Sequence, residues 1–114
     1  MSQNKAVSIR ARGDVSIIEV PGDVTAAAGE PIEDAYRQAS LAGARKLLFR
    51  FDEASYINSG GIAVLIGIVS ESSKKGQTVR MTGLSSHFQK IFAMVGLTRY
   101  AQVFPSEDTA LETF

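Results

Sequence analysis

The sequence predicts an α/β fold, a mixed and mostly parallel sheet of about five strands with about four helices. Three observations predict it. Strand-like and helix-like segments alternate after an initial pair of strands, the pattern that builds a parallel sheet through right-handed crossovers. The run from Lys46 to Phe51 carries Leu47, Leu48, Phe49 and Phe51 with little alternation, as a strand covered on both faces does. A length of 114 residues, 45% of them hydrophobic and 21% charged, suits one globular core, so one domain over residues 1–114 is expected.

Each element has its own reason. Val7 and Ile9 alternate with polar residues, Arg12-Gly13-Asp14 reads as a tight turn, and Val15 to Val20 is β-branched except at Ser16 and Glu19, so two joined strands open the chain. Pro21-Gly22 ends the second. Thr25 to Gly29 is ambiguous, alanine-rich but interrupted by Gly29, and Pro31 suits a first helical turn. The first helix is therefore placed at Pro31 to Ala42, with Ile32, Ala35, Tyr36 and Ala39 on one face and Gly43 as a left-handed cap. Lys46 to Phe51 follows as the central strand. The second helix begins after Asn58-Ser59 and closes at Lys74-Lys75-Gly76. Gln77 to Thr82 is a strand. Ser86 with Gln89 fits a capping box for a third helix, whose stripe of Phe88, Ile91, Phe92 and Val95 stops at Gly96. Arg99 to Phe104 is the last strand, and Ser106 with Asp108 starts a small helix carrying Ala110 and Leu111.

Composition narrows the function. Twelve basic and twelve acidic residues cancel, which recommends neither nucleic acid nor an anionic membrane as partner. The absence of cysteine excludes disulfides, thiolate metal sites and cysteine nucleophiles, and agrees with a cytoplasmic protein. The start Met-Ser-Gln-Asn-Lys lacks an apolar signal core, and the longest apolar run, Ile62 to Val69, is far short of the ~20 residues of a membrane span. His87, the only histidine, has no carboxylate spaced to make it a metal ligand or a base. Asp52 and Glu53 imitate paired acids or a receiver-domain acceptor, but Ser8 to Asp14 supplies only one further acid. No catalytic triad can be assembled. A non-enzymatic chain without metal or cofactor is expected.

The stretch Tyr56 to Ile68 organises the rest. Asn58 and Ser59, then Gly60 and Gly61, join a strand to the apolar positions Ile62, Leu65, Ile66 and Val69 at helical spacing. Ser59 is thus at or next to a helix N-terminus, where free N–H groups and the positive dipole end favour an oxygen acceptor or an anion. A hydroxyl there can cap the helix or carry a phosphate. Gly60 and Gly61 permit close packing or close approach of a partner, and Asp23 and Thr25 suit a turn and a cap as well as recognition. Val64 and Ile68, four apart and off the main apolar strip, are read as a partner-contacting patch beside Ser59, the alternative being burial against a neighbouring helix.

The chain resembles a STAS domain, the fold shared by bacterial anti-sigma factor antagonists and the cytoplasmic tails of sulfate-type anion transporters. Ile57-Asn58-Ser59-Gly60-Gly61-Ile62 is similar to the family's Asp-Ser-x-Gly-Leu at the head of a long helix. Val20-Pro21-Gly22-Asp23-Val24 resembles its Gly-x-Leu turn, and Phe92-Ala93-Met94-Val95-Gly96-Leu97 its Phe-x-x-x-Gly-Leu. The resemblance implies a switch: the serine matching Ser59 is phosphorylated by an anti-sigma factor that is itself a serine kinase, a serine phosphatase restores it, and the unmodified form binds the anti-sigma factor. Asn58 stands in place of the usual aspartate, and Thr25 where many antagonists carry a second one. Two further functions stay open, a non-phosphorylated scaffold of a stress-signalling complex and a small-ligand-binding STAS module. The N-terminal strand pair also leaves an edge through which a homodimer could form.

Overall fold

The computed structural model describes residues 6–114. The N-terminal Met1–Lys5, read above for want of a signal core, lies outside the described residues. The strands are β1 (Ser8–Arg12), β2 (Val15–Val20), β3 (Lys46–Phe51), β4 (Thr78–Thr82) and β5 (Ala101–Phe104). The helices are α1 (Ala26–Leu41), α2 (Ser59–Lys74), α3 (Ser86–Met94) and α4 (Glu107–Glu112), with a 3-10 turn at Leu97–Arg99. One sheet runs β1-β2-β3-β4-β5, antiparallel between β1 and β2 and parallel thereafter. The expected central strand is indeed β3.

The sheet separates two apolar layers because successive side chains point to opposite faces. Ile18, Val20, Leu47, Phe49, Phe51, Val79 and Met81 face α1, α2 and α3 in the main core. Val15, Ile17 and Leu48 face the other way and are covered by Ala110 of α4 together with Phe104, Leu111 and Phe114. Leu47 and Leu48 are therefore buried in different layers, which is why β3 shows no polar alternation. No helix among the described residues is long and apolar enough to cross a membrane.

The last strand starts at Ala101 rather than Arg99, because Leu97–Arg99 winds into the 3-10 turn, and two helix starts also differ from the sequence reading. The first helix begins at Ala26 rather than Pro31, so Pro31 lies inside it, and Thr25 is its N-cap, with Oγ1 accepting from the Ala28 N–H at 3.3 Å. Pro31 cannot donate to the carbonyl four residues back. The helix persists because Gly29 is buried against Val64 of α2, with a Cβ there falling only 2.6 Å from a Val64 methyl carbon. Tertiary contact outweighs the lost bond. The cap of α3 is Ser85, not Ser86: its hydroxyl accepts from the Phe88 N–H at 3.3 Å, while the Gln89 side chain donates to the Leu84 carbonyl.

Candidate functional site

The turn after β3 sets the site. Asp23 Oδ1 accepts from the Tyr56 N–H at 2.8 Å, the Val24 N–H donates to the Tyr56 carbonyl at 2.8 Å, and the Asn58 N–H donates to the Val24 carbonyl at 3.1 Å. These bonds bind the segment before α1 to the segment before α2, forming a short parallel bridge between Val24 and Ile57. Two helices consequently start side by side. Asn58 caps α2, its Oδ1 accepting from the Gly61 N–H at 2.9 Å. Ser59 is thereby released from capping and sits exposed as the first residue of α2.

The glycines explain how closely the two starts approach. A Cβ on Gly61 would lie 2.1 Å from the Val24 carbonyl oxygen, and one on Gly60 would lie 2.9 Å from Ala26 Cβ. Only hydrogen fits at Gly61. With α1 and α2 beginning this close together, the positive ends of both dipoles converge on the end of the molecule where Ser59 opens α2, a setting that favours negative charge. Tyr56 extends the surface on the far side, its exposed ring packing edge-on against Phe88 at 6.2 Å.

Asp23, Thr25, Asn58, Ser59, Gly60 and Gly61 are therefore brought together. Val64 and Ile68 are not part of an exposed patch. Ile68 is 4% exposed in the main core and Val64 is half-buried against Gly29 of α1, so the exposed patch read for them is corrected. Ile66, counted with the buried strip, is instead 42% exposed on the opposite side of α2. The sequence pattern could not separate these cases, because α2 has apolar residues around most of its circumference and only the position of α1 decides which are covered. His87 and the Asp52-Glu53 pair are on the surface as read. Among the described residues no group of three or more histidine and acidic side chains is gathered that could hold a metal ion.

The reading from sequence missed the charged cluster on the opposite face of the sheet. Glu107, at the start of α4, takes two bonds from Arg10 and one at 2.7 Å from Arg12, with Arg50 Nε at 3.5 Å. The Arg10 bonds above all, then Arg12, hold its carboxyl down at about 2 despite the opposing effect of burial. Burial pushes the neighbouring Glu19 carboxyl up, but bonds from Arg10 and Arg50 outweigh it and leave the group below its ordinary value. Arg80 is buried below α4, its guanidinium between the Phe104 and Phe114 rings and donating to the Ala110 carbonyl at 2.7 Å. Alternating charge on β1, β2 and β3 was the available signal, but which partners meet depends on where α4 lands.

Comparison with known proteins agrees with this fold. A Thermotoga maritima protein, TM1081, assigned as an anti-sigma factor antagonist, superposes with a TM-score of 0.82 at 14% identity, over 94% of this chain and 92% of its own. The Bacillus cell fate determinant SpoIIAA in its phosphorylated form gives 0.68 at 18% identity over 95% and 98% of the two chains. The anti-sigma factor antagonist SpoIIAA in its unphosphorylated form gives 0.72 at 17% identity over 95% and 96%. At these identities the likeness is one of fold. The family model for the STAS domain matches residues 6–110, nearly all of the chain, and the chain belongs to the STAS domain family.

Proposed function

We propose that residues 1–114 act as one STAS domain of the anti-sigma factor antagonist class, which binds an anti-sigma factor with serine kinase activity and is switched off by phosphorylation of Ser59. The observation that carries this reading is an exposed serine at the first position of α2, left free because Asn58 does the capping. A phosphate on Ser59 adds about −1.5 to −2 charges at pH 7, and the paired helix starts can host it without rebuilding the fold. The same charge meets any partner packed on this end of the molecule. A penalty of roughly 3–4 kcal/mol would weaken binding a few hundredfold, enough for a switch. Asp23, Thr25, Asn58, Gly60 and Gly61 frame the acceptor, and a serine phosphatase resets it. In this reading the protein is a cytoplasmic regulator of sigma-factor-dependent transcription without catalytic activity.

The test is phosphosite mapping by mass spectrometry after incubation with ATP and lysate of the host, beside a Ser59→Ala control. Phosphate on Ser59 that disappears in the control is the expected result. An unmodified Ser59 in a lysate where the kinase is demonstrably active would overturn the switch and leave the scaffold reading.

A further inference from the structure

A second exposed feature lies further along α2. Between its last two turns and the corner where α3 passes through Gly96 into the 3-10 turn, a groove of about 350 Å³ is lined by residues that include Ile66, Val69, Lys74, Val95, Leu97 and Tyr100. Val69 and Leu97 are buried and form the floor, whereas Ile66, Val95 and Tyr100 are 42%, 47% and 61% exposed. Met94, next to Val95, is more exposed still. Single apolar side chains in water are ordinary, but several gathered round one concavity mark a contact surface.

Charge indicates what covers it. Among the described residues, the lysines and arginines outside ion pairs are Arg45, Lys74, Arg80, Lys90 and Arg99, and Arg80 is engaged below α4. Three of the remaining four lie on the last turn of α2, on α3 and in the 3-10 turn. Residues 86–99 contain no acid, and Glu71, the one acid of α2, is held by Lys75 at 2.9 Å. Glu30, Glu33 and Asp34 sit on α1, at the other side of the helical layer. The groove therefore has an apolar floor, an unpaired lysine, Lys74, in its wall, and no acid in its lining. No strand residue lines it, so it offers a partner no main-chain pairing, and a groove between two helical segments suits the apolar side chains of a helix. From Ile66 to Lys74 is ~12 Å along the helix axis, room for about two turns.

We propose that this groove docks an amphipathic helix of a protein partner, with apolar anchors on the floor and a flanking Asp or Glu side chain against Lys74. Ser59 lies ~10.5 Å before Ile66 on the same face of α2, so one partner can span both places. Naming that partner an anti-sigma factor rests on the function proposed above; the docking chemistry does not.

The test titrates the ¹⁵N-labelled chain with two amidated 16-residue peptides, each with leucines at helical i, i+4, i+7 and i+11 positions, one filled out with Glu and Ala and its twin with Lys and Ala. The Glu peptide is expected to shift the amides of Ile66, Lys74, Val95 and Tyr100 saturably, and to bind at least tenfold more tightly than the Lys twin. Ile66→Asp and Tyr100→Ala should weaken it at least tenfold, and Lys74→Glu should narrow or reverse the preference; because these side chains are exposed, unchanged circular dichroism checks the fold. Equal binding of the twins, shifts confined to other faces, or no saturable shift would overturn the proposal. So would groove shifts that depend on protein concentration without peptide, since a second copy would then be the occupant. The two proposals fail separately: saturable peptide binding to the unmodified chain, with Ser59 left unphosphorylated in the lysate assay, sinks the switch alone, and no peptide binding to the unmodified chain, with Ser59 phosphorylated in that assay, sinks the docking alone.

Discussion

Gly61 and Gly67 lie on the same helix and have opposite roles. A Cβ at Gly61 would meet the Val24 carbonyl oxygen at 2.1 Å, and backbone cannot swing away as a side-chain tip can; at Gly67 a Cβ meets nothing within 4 Å. Gly61→Ala should destabilise the fold by about 3 kcal/mol or more by forcing α2 off the α1 start, while Gly67→Ala should stabilise it by about 0.5–1 kcal/mol through helix propensity. Urea unfolding of the two variants against wild type checks both signs, and equal effects would refute the close approach. Gly60 and Gly61 were legible in the sequence as a place of close packing or approach, but not that Gly61 is the tighter of the two. That depends on the bridge between Val24 and Ile57, which joins residues 33 positions apart.

Helix α4 is the element whose attachment rests on charge. With six residues it is too short to hold itself together, so its place depends on its own capping box, on Ala110 over Ile17 and Leu48, and on Glu107 beneath the arginines of β1 and β3. Glu107 ionises at about 2 in the folded chain against an ordinary 4.5. Its contribution is thus complete above pH ~4.5 and is lost as the pH falls from there towards 2. Unfolding midpoints in urea, measured from pH 6 to pH 2.5, should fall across that window, and Glu107→Gln should cost about 1–2 kcal/mol at pH 7 and flatten the fall. A variant with the same acid sensitivity as wild type would assign the effect elsewhere, Glu19 being the next group. The sequence signalled a short final helix from Ser106 and Asp108. Its docking partners were illegible, since Arg10, Arg12 and Arg50 come from strands more than fifty residues earlier.

Across the whole molecule, stability should follow the layers. β3 pairs on both sides with parallel neighbours and lies between two apolar layers, whereas β1 and β5 are edges and α4 covers the back face alone. Hydrogen exchange should find the amides of Leu47 to Phe49 opening only with global unfolding and those of α4 opening well before, by a free energy several kcal/mol lower. Uniform protection would contradict this ranking. The sequence by itself determined the order of elements, the central strand, the α/β class and the capped serine turn, because these follow from periodicity and from residues that cap, break or turn the chain over a few positions. Tertiary structure alone decided that α1 begins before Pro31, that Val64 packs on Gly29 and Ile68 is buried in the core while Ile66 is left open, and that Glu107 meets three arginines. Local pattern records that a residue is apolar or charged. Which neighbour covers or pairs with it is set by the packing of elements distant in the chain.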